Sequence, residues 1–245
     1  MNTLEIFKAN PHSVYLNRTY QMTCSINLLE FGKQLFESAY VIDNLNGLKS
    51  LCENCSPRNP PKKEEIEGFT KNGLIDSIKI SICFENFGKG MLLAKGYLIH
   101  NINKSVFSDL EDQQKKRPIL IENFPDEWIR DDRLITTVSS LKGIGKGLLM
   151  NTINYSTMLN KNSYFQECLY DKEFLNFLKQ INQSRNQLHM LNSFSFNLRH
   201  DSYELYSQLN EFVKTKIPKF QNQFRQYLDP NDMGSTPSFI IKKIN

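Results

Sequence analysis

The sequence predicts an all-α protein, an antiparallel bundle of long helices with a loop insertion around 103–130 and minor extended segments. Three observations predict it. Residues 17–51 contain no proline and carry apolar side chains at helical spacing. A second such run follows from about 63 to 101. The pieces between and after the helical runs are polar, proline-bearing and turn-rich. A chain of 245 residues with 40% hydrophobic residues can bury a sizeable core without a metal or disulfide. The whole chain therefore reads as a single helical domain over 1–245, with a leader at 1–16 and a tail at 229–245.

Each element has its own justification. In 17–51 the stripe is Ile26, Leu29, Leu35, Ala39, Ile42, Leu45 and Leu48, one face of a single long helix. Gly32 and Gly47 weaken it locally by about 1 kcal/mol each relative to alanine. Residues 52–63 hold three prolines and a basic end, which stops the helix. The second run carries Ile75, Ile78, Ile82, Phe84, Phe87, Met91, Ala94 and Leu98. A break is expected near Lys71, Asn72 and Gly73. Residues 78–84 alternate enough to suit a strand, but the 3.6-residue pattern continues on both sides and favours helix.

The insertion at 103–130 is polar and holds Pro118 and Pro125, with an extended piece expected at 119–121. Further helices are expected over 133–159, 164–190 and 202–227, with a break within 191–201. In the tail, a short strand or extended arm is expected at 238–244. No internal repeat is present.

Composition narrows the setting. The net charge of +4 and pI of about 8.7 permit a polyanionic partner without demanding one. No stretch approaches the roughly 20 apolar residues of a membrane span, and the first residues lack the pattern of a secretory signal. These features predict a cytoplasmic protein with no membrane partner. The five cysteines, odd in number and mostly in apolar runs, fit reduced thiols. Cys52 and Cys55 have the spacing of half a zinc site, but no second pair follows, so no metal and no cofactor are expected.

Lys142, Gly143, Ile144, Gly145, Lys146 and Gly147 resemble a phosphate loop at first sight. No hydroxyl residue follows Lys146, so the Walker pattern fails, and a kinked helix or close crossing explains the glycines better. Lys142 and Lys146 remain candidate RNA-phosphate contacts, with Arg199 and His200. The 27 phenylalanines and tyrosines sit mostly at core spacing and read as packing.

Arg185, Asn186 and His189 are the candidate catalytic group. Residues four apart on a helix share a face. Arginine binds phosphate bidentately, and histidine moves protons near neutrality. The two suffice for metal-free RNA cleavage by the 2′-hydroxyl. An arginine and a histidine one turn apart also occur on ordinary solvated faces, so the pair needs context.

That context is a resemblance. The stretch 84–100, FENFGKGMLLAKGYLIH, resembles the second long helix of the HEPN superfamily (higher eukaryotes and prokaryotes nucleotide-binding), with its acid, lysine and leucine-rich run. Residues 28–51 resemble the first helix. Arg185-Asn186 followed by His189 resembles the family's R-x(4–6)-H motif, though only three residues separate the pair here. The resemblance implies a metal-independent endoribonuclease of toxin or phage-defence type. It implies a homodimer whose groove takes Arg and His from each protomer, and an antitoxin or effector protein as a further partner. Arg185 would hold the scissile phosphate, His189 would transfer protons, and Asn186 would orient a phosphate oxygen. The short spacing keeps open a non-catalytic RNA- or nucleotide-binding or effector-docking subunit, with Phe124 and Trp128 in a partner loop.

Overall fold

A computed structural model of the chain describes residues 18–56, 58–102, 118–120, 122, 149–161, 164, 166–168, 170–189 and 202–225. The described part is mainly α, as expected. Its helices are α1 (Arg18–Glu37), α2 (Val41–Asn54) and α3 (Lys63–Ala94), then α4 (Tyr155–Asn160), α5 (Lys172–His189), α6 (Ser202–Glu211) and α7 (Ile217–Arg225). A π-helical turn, Phe212–Lys216, joins the last two. Two short strands, β1 (His100–Ile102) and β2 (Leu149–Thr152), pair antiparallel. No described helix is long and apolar enough to cross a membrane.

Several expected boundaries moved, each for a local reason. The single helix expected over 17–51 is two helices, parted at 38–40. Asp76 of α3 accepts from the Tyr40 backbone N–H at 3.3 Å and from Asn44 Nδ2 at 2.6 Å, while Lys79 Nζ donates to the Ser38 carbonyl. A carboxylate from a distant helix thus caps α2, a partner that periodicity cannot reveal.

The break expected at 71–73 is absent, and α3 runs unbroken through Gly73. Its start agrees with expectation: Glu65 reaches back to accept from the Lys62 N–H at 3.1 Å, one half of a capping box. It ends at Ala94, seven residues before the expected limit. Gly96 takes φ 87° and donates its N–H to the Leu93 carbonyl, a left-handed stop that glycine adopts without a Cβ clash.

The helix expected over 133–159 is replaced at 149–152 by β2, and the Asn154 side chain then caps α4 by accepting from Thr157 N at 2.7 Å. Residues 133–148 lie outside the described set. The helix expected from 164 is broken up: Tyr164 is helical, Gln166–Cys168 forms a 3-10 turn, and the long helix starts at Lys172, where Asp171 caps it, accepting from Phe174 N at 2.8 Å. The expected extended piece is seen in Ile119, which accepts from Leu98 N at 2.8 Å, and in Leu120, bridged to Tyr97. The tail at 238–244 and the break at 191–201 fall outside the described residues.

The chain divides into two compact units. One is drawn from the described residues of 1–27, 93–152 and 218–245, the other from 28–92 and 153–217. The first holds the strand pair, with Gln21, Met22, Leu98, Ile99 and Ile119 buried. The second holds an aromatic core centred on Phe84. Phe87 and Phe174 lie 5.4 Å from its ring, Phe212 5.6 Å and Tyr170 6.3 Å. Tyr170 also donates its hydroxyl to the Phe84 carbonyl at 3.1 Å.

Two glycines of this second unit make opposite predictions. A Cβ at Gly32 would come 2.7 Å from the Phe87 ring and 3.2 Å from the Cys83 carbonyl. Phe87 is fully buried and cannot yield. A Cβ at Gly88 would come 2.5 Å from the Met158 terminal methyl, the movable end of a flexible side chain. Gly32→Ala should cost about 1–3 kcal/mol of overpacking, and Gly88→Ala should be near neutral. Urea denaturation of the two variants checks the contrast.

Candidate functional site

α5 is built to present Arg185. Phe174, Leu175, Phe177, Leu178, Ile181 and Asn182 are buried along it, so the helix is held by one apolar face. α5 crosses α3 near Phe84 and Glu85: Phe174, in its first turn, meets the Phe84 ring, and Arg185, three turns on, reaches Glu85. Ser81 Oγ and the Asn182 Oδ1 that accepts from it lie 3.4 Å apart, both residues buried.

Glu85 is the hub. Its Oε2 accepts from Arg185 Nη1 at 3.3 Å, and its Oε1 from Lys89 Nζ at 2.7 Å. The side chains are mostly shielded, at 27% exposure for Arg185, 19% for Glu85 and 12% for Lys89. Two cations share one carboxylate, so the trio carries one net positive charge. Arg185 spends only Nη1 on the described residues. The Nε–Nη2 edge, the side of the guanidinium suited to a bidentate phosphate contact, makes no hydrogen bond to them.

Of the residues singled out in the sequence, Arg185 is at this cluster. Asn186 is exposed beside it, and His189 is the last residue of α5, one turn beyond. The side chain of His189 lies outside the described set, as do Lys142, Lys146, Arg199 and His200. Cys55 is a free, half-buried thiol, and the Cys52 side chain is not described. Among the described residues no group of three or more metal-ligating side chains gathers.

Sequence reasoning missed Glu85 and Lys89 as site residues, although both stand in the stretch quoted for the second helix, four residues apart.

The buried tyrosines have a measurable consequence. Burial, with the Asp76 carboxylate adding to it, pushes the Tyr206 hydroxyl up to about 12. Burial first, then neighbouring groups, raises Tyr155 and Tyr170 well above the usual phenol value. In the unfolded chain a tyrosine ionises near about 10. Above that pH the unfolded state sheds protons that the fold retains, so the stability held below about pH 10 falls as pH rises toward 12. Tyr206→Phe should therefore lose less stability than the wild type between pH 9 and 11, by on the order of 1 kcal/mol. Urea midpoints at the two pH values, compared between the proteins, check this.

Compared with family models, with curated proteins and with solved structures, the chain gives no match.

Proposed function

We propose that the chain is a HEPN-like, metal-independent endoribonuclease of toxin or phage-defence type, acting through Arg185 and His189. One observation supports this reading most. Arg185 is joined to Glu85, the acid of the stretch that resembles the family's second helix, so the two separate pieces of the resemblance meet at one place in the fold. Glu85 fixes one nitrogen of the guanidinium and leaves the opposite edge for a phosphate.

In the proposed reaction the 2′-hydroxyl of a ribose attacks the adjacent phosphorus and the bond to the 5′-oxygen breaks. The products are a 2′,3′-cyclic phosphate and a 5′-hydroxyl. Arg185 stabilises the charge that builds on the phosphoryl oxygens. His189 transfers the proton, and Asn186 orients a phosphate oxygen. In keeping with the resemblance, the groove forms between two copies of the chain, each supplying both residues. An antitoxin or effector protein would be the regulatory partner, and the cytoplasm the setting. Lys142, Lys146, Arg199 and His200 would add contacts to the RNA backbone.

A second reading is favoured by a specific feature: three residues between Arg185 and His189, together with an arginine already held by a carboxylate. On that reading the protein binds RNA or nucleotide without cutting it, or docks to an effector. Purified protein incubated with total RNA in EDTA separates the two. Cleavage that ends in cyclic phosphates, and disappears in Arg185→Ala and His189→Ala, supports the nuclease. RNA bound but intact supports the binding module. Cleavage that survives both substitutions sinks the assignment of the site.

A further inference from the structure

The Arg185 cluster leaves one neighbouring buried group unused. Tyr155 opens α4 and is 3% exposed, yet its hydroxyl has no hydrogen-bond partner among the described residues. A phenylalanine would fill the same space without burying an unmet hydroxyl, so the oxygen is kept at a cost to the free fold.

Packing brings the helix that carries this hydroxyl against the helix that carries Glu85. Met158, one turn after Tyr155 on α4, lies against Gly88, where an added Cβ would come 2.5 Å from its methyl. Gly88 is one turn after Glu85 on α3. Residues three apart share a helix face, so the Tyr155 side of α4 meets the Glu85 side of α3. Behind burial itself and Cys83, the Glu85 carboxylate acts to hold the phenol protonated and Arg185 acts against it.

We infer that Tyr155 is a positioning residue for Arg185: its hydroxyl donates to Glu85 Oε2 when the guanidinium turns from that oxygen to a phosphate of bound RNA. The inference rests on reading Arg185 as a phosphate ligand. In the free protein Arg185 supplies the donor to Oε2 and Lys89 the donor to Oε1. If Arg185 moves to a phosphate, the Glu85 oxygen that it held loses its donor, a modest cost that a new donor would remove. Tyr155 has the complementary deficit, a donor without an acceptor. Joining them removes both deficits in the bound state, while Lys89 keeps Glu85 in place. Burial holds the phenol protonated, so the donor is present throughout the physiological range.

The test is a double-mutant cycle read by RNA binding and by thermal stability. The probe is a short mixed-sequence 2′-O-methyl oligoribonucleotide, which lacks the attacking hydroxyl, followed by fluorescence anisotropy in EDTA. Tyr155→Phe should raise the Tm of the free protein by about 2–4 °C and weaken binding about tenfold, the worth of one hydrogen bond to a charged group. In a Glu85→Gln background, where the carboxylate charge is gone, the same change should alter affinity by less than about twofold.

Arg185→Ala is the control. If it weakens binding while Tyr155→Phe does not, or if Tyr155→Phe costs as much in the Glu85→Gln background as with Glu85 in place, the Tyr155 inference is overturned and the Arg185 reading stands. If Arg185→Ala binds the probe as well as the wild type, the Arg185 reading fails and takes this inference with it.

Discussion

Phe84→Ala is expected to lower the unfolding free energy by about 3–5 kcal/mol, a large share of the roughly 5–15 kcal/mol that holds a domain folded. Phe84 has no exposed surface, and five rings surround it, from Phe87 at 5.4 Å to Phe36 at 6.5 Å. Those rings come from four parts of the second unit: α1, α3, the start of α5 with Tyr170 two residues before it, and the π turn. Truncation therefore opens a void that no single neighbour can fill, and the walls can collapse only by moving helices. Phe84→Leu keeps most of the volume and should cost no more than about half as much. Urea denaturation followed by far-ultraviolet circular dichroism measures both. A Phe84→Ala midpoint indistinguishable from that of wild type would mean the core is not organised around this ring.

On the proposed nuclease reading, Arg185→Ala should leave the fold nearly intact and lower kcat for RNA cleavage by about 10²–10³, the usual loss when one pre-placed donor to a developing charge is removed. The two halves of this expectation have different origins. The contact with Glu85 is long at 3.3 Å and Arg185 is 27% exposed, so its contribution to stability is under about 1 kcal/mol. Glu85 also keeps Lys89 at 2.7 Å and is not stranded. The catalytic loss follows from the guanidinium fork, and Arg185→Lys should not restore it, because an ammonium cannot offer two parallel donors. Thermal melts and initial rates on a defined RNA, measured on one preparation, separate the effects. Loss of the fold together with activity would show Arg185 to be a structural residue.

The helical core was legible because burial follows periodicity. Leu29, Leu45, Phe84, Phe87, Met91 and Leu98 were picked out by spacing and are buried, whereas Ile42 and Ile75 of the same stripes are exposed. What spacing cannot show is a partner far along the chain. The break at 38–40 depends on Asp76 and Lys79, more than 30 residues away. Strand β1 reads as the end of a helical run, because its pairing partner lies at 149–152. The candidate site divides in the same way. Arg185 stood out as a candidate through its neighbours in sequence, whereas its contact with Glu85 on α3 exists only once the helices are packed.

The π turn carries a consequence of another kind. Pro218 offers no N–H, and its ring would strike the carbonyl four residues back; the helix widens just before it, with Ile217 N–H donating to the Phe212 carbonyl five residues behind. Spreading those residues over a wider turn sets the phase of everything after it back by most of the ~100° that one α-helical residue spans. Upstream, Leu209, Phe212 and Val213 are buried; downstream, Ile217, Phe220 and Gln221 are. An uninterrupted α-helix would carry Ile217 about a quarter turn away from Leu209, Phe212 and Val213, and the widened turn brings it back to their stripe. The exposed residues 214–216 therefore work as a spacer: apart from the Lys216 ammonium 5.5 Å over the Phe212 ring, their number matters more than their identity, and deletion of one should cost more than substitution.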